Sequence, residues 1–328
     1  MKRTFAVLVG LVLCGGCSSS GWAGEVKLDR LERFQEDNKF GFKDETGKVV
    51  IKPTYDDAGD FAFGLAPVNM GAKRDYGYHP PMRHGGRWGY INERGKVVVP
   101  FTLDYATKFS DGLAQVGDEQ GVRYIDPEGK TVVRLEESRR AGDFSEGVAP
   151  VYLDRLLQEK DWQTKFINKR GEVAFTVKGY AEEFHEGLAV LIVRDGADPE
   201  IKRYGFIDHT GKLVIAPQFA EALPFSEGLA AVRTKKTTGW YGRGDTWGYI
   251  NKSGQYVLKP QFNETHPFRN GVARVHVGGT LREYDVHSPP IWEGGEWQLI
   301  DAKGHVLKRS KEWVEYEGPA KKSLEKTR

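Results

Sequence analysis

The run Trp88-Gly89-Tyr90-Ile91-Asn92-Glu93-Arg94-Gly95-Lys96-Val97-Val98-Val99-Pro100 sets two apolar stretches of strand length around a polar turn. Asn92, three residues before Gly95, can cap its own turn while the glycine supplies a positive φ, the chemistry of a tight, bulged hairpin. Side chains alternate faces along a strand, so Trp88 and Tyr90 point one way and Gly89 and Ile91 the other. Both faces are apolar, which predicts a sheet covered on both sides.

The pattern recurs along the chain. Turn glycines stand at Gly47, Gly95, Gly129, Gly171, Gly211, Gly254 and Gly304, each three residues after Asp44, Asn92, Asp126, Asn168, Asp208, Asn251 or Asp301. Ile91, Ile125, Ile167, Ile207, Ile250 and Ile300 precede the Asp or Asn, with Lys43 the exception, and Phe42, Tyr90, Tyr124, Phe166, Phe206, Tyr249 and Leu299 precede those. The fullest copies read Trp88-Gly89-Tyr90-Ile91-Asn92 and Trp247-Gly248-Tyr249-Ile250-Asn251. Over about residues 31 to 305 the chain thereby resembles the bacterial WG-repeat family. That resemblance implies an all-β tandem repeat in a bacterial surface or envelope setting, and no shared enzymatic activity. Val122-Arg123, Thr164-Lys165 and Trp297-Gln298 replace Trp-Gly in the third, fourth and seventh copies, which predicts looser packing there.

Beyond each turn a second strand follows, such as Lys48 to Ile51, often closed by proline at Pro53, Pro100, Pro217 or Pro260. An aromatic then returns at Phe61, Phe109, Phe144, Phe184, Phe225 and Phe268, ahead of a G-[LV]-A strand that begins at Gly64, Gly112, Gly147, Gly187, Gly228 or Gly271. Only a short polar loop separates Val116 from Val122, so the G-[LV]-A strand folds back onto the next Trp-Gly strand. The compact unit therefore starts at G-[LV]-A. Seven units result, at 31–52, 65–99, 113–134, 148–176, 188–216, 229–259 and 272–308.

Each unit reads as three antiparallel strands. Pro67 and Pro150 lack the amide a further ladder needs, which predicts an edge at the G-[LV]-A strand. Gly89 and the alanines Ala66, Ala114, Ala149, Ala189, Ala230 and Ala273 leave room for a neighbouring unit. A small sheet with two apolar faces must stack on others. The fold class is all-β, a propeller-like ring being placed ahead of an open β-solenoid.

The connection from the G-[LV]-A strand to the Trp-Gly strand lengthens at Asn69 through Arg87, Thr234 through Thr246 and His276 through Glu296. Insertions on one side of an array mark a binding face. The candidate binding residues in these loops are Tyr76, Tyr78, His79, Arg83 and His84, then Trp240, Tyr241 and Arg243, then Tyr284, His287 and Trp292. Aromatics among Arg and His suit a protein or cell-envelope glycan surface. His79 and His84 have no third ligand spaced to complete a metal site, so no metal and no cofactor is expected. Acidic pairs such as Glu182 and Glu183 read as solvated linker residues. No catalytic residue is nominated: the chain carries no G-x-S-x-G elbow, P-loop or H-E-x-x-H helix.

Residues 1–23 form an export signal, with basic Lys2 and Arg3 ahead of the apolar run Phe5 to Leu13. Two endings stay open: cleavage after Ala23, or a lipoprotein-type ending in which Cys17 carries lipid. Lys2 and Arg3 account for the whole excess of 48 basic over 46 acidic residues, so no long-range field recruits nucleic acid or an anionic membrane. Residues 25–310 make the repeat domain and 311–328 a charged tail. The expectation is a non-catalytic exported scaffold in the periplasm, outer membrane or cell surface, touching membrane only through a lipid. The alternative is a polysaccharide hydrolase or lyase with a loop-formed cleft.

Overall fold

The computed structural model describes residues 31–75, 82–135, 140–152, 162–196, 198, 201–234, 246–282 and 291–311. Among them lie seven antiparallel sheets of three or four strands in chain order, in the phase expected, with one further two-stranded ribbon and no helix. The number of strands differs from expectation. The first sheet has three (Glu32–Glu36, Lys39–Lys43, Val49–Tyr55), but the other six have four. In the second sheet the order is a short strand Asp57–Ala58, an alanine strand Leu65–Asp75, an aromatic strand Met82–Asn92 and a closing strand Val97–Leu103. The short strand lies along the edge that proline was expected to leave open. Pro67 and Pro150 still offer carbonyls there, which accept from the Gly59 and Gly142 amides at 2.8 Å each. Pairing stops at that point, so the missing proline amide is never called upon. Four strands is also the usual number for a propeller blade.

One end of each sheet, the turn end, is uniform. Asp44 Oδ1 accepts from the amides of Thr46 (2.9 Å) and Lys48 (3.0 Å), and Gly47 closes the turn at φ 84°. Asn92, Asn168, Asp208, Asn251 and Asp301 repeat these two bonds in their own turns. The turn entering the alanine strand is laced from unit to unit. The carboxylate of Asp111 accepts from the Gly147 amide (2.6 Å), Glu146 from Gly187 (3.0 Å), Glu186 from Gly228 (2.9 Å) and Glu227 from Gly271 (2.8 Å).

Six apolar cores join consecutive sheets. Between the first and second, Phe42 and Ile51 meet Ala58, Ala66, Val68 and Ile91; between the sixth and seventh, Tyr249 and Leu258 meet Phe268, Ala273, Val275 and Ile300. In each core the strand aromatic meets the returning phenylalanine of the next unit, as in Phe42–Phe61 at 4.7 Å and Tyr249–Phe268 at 4.8 Å between ring centroids. Such pairs add about 1 kcal/mol each beyond the area they bury. Among the described residues no core joins the seventh sheet to the first. Each free face instead carries charge at positions that are apolar in inner units. Lys43, the exception to the isoleucine rule, stands opposite Glu32 and pairs with it at 3.8 Å. In the seventh unit Leu299 lies opposite Lys308, where the first has Phe42 opposite Ile51. These substitutions cap the stack.

The Trp-Gly signature has a local cause. A Cβ on Gly41, Gly89, Gly205 or Gly248 would come within 2.5 to 2.6 Å of a carbonyl oxygen on the closing strand of the same sheet. In these four sheets the closing strand holds two extra residues, as between the pairs Trp88↔Leu103 and Tyr90↔Val99. Pro53, Pro100, Pro217 and Pro260 sit in that bulge, where a strand amide is dispensable. The glycine therefore makes room for its own sheet and not for a neighbouring unit, as expected above. The third, fourth and seventh units lack the bulge, the glycine and the proline together, and pair regularly here. The third and fourth are not looser, Tyr124 and Phe166 being as buried as Tyr90, whereas Leu299 of the seventh is only half-buried.

At the opposite, connection end, two expected loops are ribbons. The second sheet's central hairpin runs on past Asn69↔Trp88 to Asp75↔Met82, and Thr280–Arg282 pairs with Ile291–Glu293 beyond the seventh sheet. Gly71 and Gly86, and likewise Gly278 and Gly295, have positive φ where the ribbon leaves the sheet.

Candidate ligand-binding cleft

A cleft of about 420 Å³ opens at the connection end of the third to fifth units, lined by Tyr105, Gln115, Arg140, Ala141, Gly142, Tyr152, Tyr180, Glu182 and Glu183. The register places it there. Tyr105 pairs with Gly117 and Arg140 with Tyr152, so each short strand begins beside the last residues of its alanine strand. The Tyr105 ring lies over Gly117, where a Cβ would meet it at 2.1 Å. Gln115, buried, donates its side-chain amide to the Ala141 carbonyl at 3.0 Å and ties the third unit to the fourth.

The fifth unit departs from the repeat. Its first strand is Tyr180–His185, six residues where the second, third, fourth, sixth and seventh units have two. A bulge falls between the pairs Ala181↔Leu191 and Phe184↔Ala189, with three steps on one strand against two on the other. Glu182 and Glu183 occupy the bulge and turn toward the cleft together, where a regular strand would have sent them to opposite faces. Both are half-buried, which corrects their reading as solvated linker residues. Glu183 reaches over Gly142 to accept from the Asp143 amide at 3.1 Å, and a Cβ on Gly142 would strike its carboxylate. Tyr180 stacks on Tyr152 at 4.4 Å and 11°.

Burial, then Glu183 and Glu221, push the Glu182 carboxyl up to about 7. Burial and Glu183 likewise raise Asp143, outweighing the hydroxyl of Thr107 that donates to it at 2.9 Å. Burial pushes Tyr105 up to about 12 and Tyr152 higher still, the latter helped by its hydrogen bond with Tyr180. At neutral pH the cleft offers phenol hydroxyls, an amide, the Arg140 guanidinium and two carboxyl groups, of which Glu182 ionises reluctantly. Among the described residues no group of three or more His, Cys, Asp or Glu could hold a metal ion.

Of the binding residues expected from the sequence, His84 is exposed on the ribbon opposite Lys73. Arg83 and Trp292 lie on ribbon strands. Tyr76, Tyr78, His79, Trp240, Tyr241, Arg243, Tyr284, His287 and Cys17 lie outside the described residues. Sequence reasoning chose the side of the array on which the cleft opens and missed the cleft residues. The available signal was positional: Tyr105, Arg140 and Tyr180 occupy the register position held by Asp57, Glu221 and Glu264 in other units.

Seven consecutive sheets cored face to face define a propeller-like all-β repeat protein. The model of the family described as WG containing repeat matches residues 40–73, 88–117, 123–155, 204–236 and 247–280, half of the chain, and the chain belongs to that family. Its matches pass over the Thr164-Lys165 and Trp297-Gln298 copies. No curated protein matches the chain. Among solved structures, a crystal structure of the eukaryotic initiation factor is similar with a TM-score of 0.56 at 10% identity, covering 86% of this chain and 74% of that one. The β-propeller domain of the Trilobed protease from Pyrococcus furiosus gives 0.43 at 10% identity, covering 80% and 98%. The first likeness is one of fold alone.

Proposed function

We propose that the chain is an exported, non-catalytic binding scaffold that recognises a protein partner or a cell-envelope glycan at its connection end. One observation carries this reading: departures from the repeat collect at that end. The bulge at Glu182 and Glu183, the tyrosine-lined cleft and both ribbons lie there, while the turns opposite repeat from unit to unit. In an array, units that must only stack stay alike, and surfaces that must recognise diverge. Export to the periplasm, outer membrane or cell surface rests on the N-terminal signal, and Cys17 is the proposed lipid attachment. The test is capture from native envelope extract by the wild-type protein, by a variant with Lys73 to His84 replaced by a two-residue turn, and by Tyr180→Ala. The scaffold reading expects loss of partners with little change in thermal unfolding; equal capture by all three contradicts it.

A second reading, a hydrolase or lyase acting on envelope polysaccharide, draws support from the raised Glu182 carboxyl beside Glu183 and two tyrosines. Release of reducing ends or unsaturated sugars by the wild type, and not by Glu182→Gln, would establish it. The scaffold reading expects neither product.

A further inference from the structure

At the connection end the chain repeatedly joins an arginine to a carboxylate, and in places to an aromatic face. In the third unit Arg123 forks onto Asp118 with two bonds of 2.7 Å. In the fifth, Arg203 meets Asp195 at 2.8 Å. In the sixth, Arg233 meets Glu221 at 2.9 Å and lies 5.8 Å from the centre of the Trp247 ring. Arg87 pairs with Asp104, and Arg309 with Glu296. The cleft holds the carboxylate and aromatic parts of this arrangement, the bulge-paired Glu182 and Glu183 and the stacked Tyr152 and Tyr180, and Arg140 also lines it. Among the described residues neither glutamate forms an ion pair.

We propose, resting on the scaffold reading, that the cleft receives an arginine side chain of a protein partner, its guanidinium laid against the tyrosines and hydrogen-bonded to Glu182 and Glu183. Three observations bear on this choice. The cavity, about 420 Å³, has the capacity for one long side chain. Two carboxyl groups side by side match the planar fork of a guanidinium better than the point charge of an ammonium. Every influence on Glu182 opposes its ionisation, namely burial, Glu183 and Glu221, and a bound cation would offset all three. The extended first strand of the fifth unit then has a purpose: it supplies a partner's arginine with what other units supply to their own.

The experiment is calorimetric titration of the purified protein at neutral pH with Nα-acetyl-arginine amide and with Nα-acetyl-citrulline amide, which differ in charge and not in size. The arginine probe should bind one to one, and citrulline at least about tenfold more weakly, a difference of one decade in Kd. Glu182→Gln and Glu183→Gln should each weaken the arginine probe severalfold, whereas Glu186→Gln at the turn end should leave it unchanged. Unfolding curves identify any variant that fails to fold, and Tyr180→Phe, which keeps the ring, should retain binding. Equal affinity for both probes, tighter binding of glucosamine than of arginine, or no binding to 10-millimolar order overturns the proposal. If capture from envelope extract still requires the connection end while the arginine probe fails, this inference falls and the scaffold reading stands. If both fail, both fall.

Discussion

At the turn end, Asp44, Asp208 and Asp301 take hydrogen bonds from their own turns, chiefly from Thr46, Thr210 and the His305 amide, and are held below the usual carboxylate range. Against the opposing effect of burial, Gly147 and Lys169 hold Asp111 down, and Gly228 and Lys252 do the same for Glu186. At the connection end, Glu182, Asp143 and Glu264 are pushed up, each by burial first. The same residue types serve opposite purposes in one sheet stack, the raised ones lying at the connection end, where Asp118, forked by Arg123, is nonetheless held down like those of the turns. Satisfied carboxylates stabilise the fold there, and strained ones store unfavourable electrostatic energy that a ligand can relieve.

The strongest way to break the comparison is to damage the turn end. Gly211 has φ 78°, and a Cβ on it would sit 2.9 Å from the Phe175 ring of the preceding unit. Gly211→Ala should cost about 2 kcal/mol in urea unfolding, from backbone strain and overpacking together, and a folded sample should keep its ligand.

The next effect has the opposite sign. Between pH 4.5 and about 7 the folded chain keeps a proton on Glu182 that the unfolded chain has released. That contribution is fully present below pH 4.5 and is lost as pH rises through about 7. Glu182→Gln should therefore be more stable than wild type at pH 8, by about 1 to 2 kcal/mol after allowing for solvent screening. The difference should vanish in acid, as paired denaturation curves at the two pH values will show.

Removing a satisfied carboxylate is milder. Glu186→Gln loses a 3.3 Å pair with Lys252 and weakens the bond to Gly228, so a loss of about 0.5 to 1 kcal/mol is expected, smaller at high salt. Smallest of all, replacing Lys73 to His84 with a two-residue turn should move unfolding by less than about 0.5 kcal/mol, because the ribbon projects beyond the second sheet and none of its described residues joins a core.

Much of the array was legible because its physics is local. An Asp or Asn three residues before a glycine specifies the turn wherever it occurs, and alternation along Trp88 to Ile91 assigns the faces. Asp57–Ala58 and its counterparts could not be read, since two residues show no period. The role of Gly89 was misassigned because the clashing atom, the Val99 carbonyl, belongs to a bulge visible only once the strands pair. The cleft was hidden for a related reason. Glu182 and Glu183 look like any adjacent acidic pair until a one-residue register shift aims both the same way, and Tyr105, Tyr152 and Tyr180 meet across three units.

The central claim is that Glu182 in the cleft and Glu186 at the turn end ionise at different pH, and carbon-13 NMR titration of the glutamate side-chain carboxyls measures it directly. With Glu182→Gln and Glu186→Gln samples used to assign the two signals, Glu182 should titrate near 7 and Glu186 below the ordinary glutamate value of 4.5. Two glutamates titrating together at the ordinary value would contradict the account.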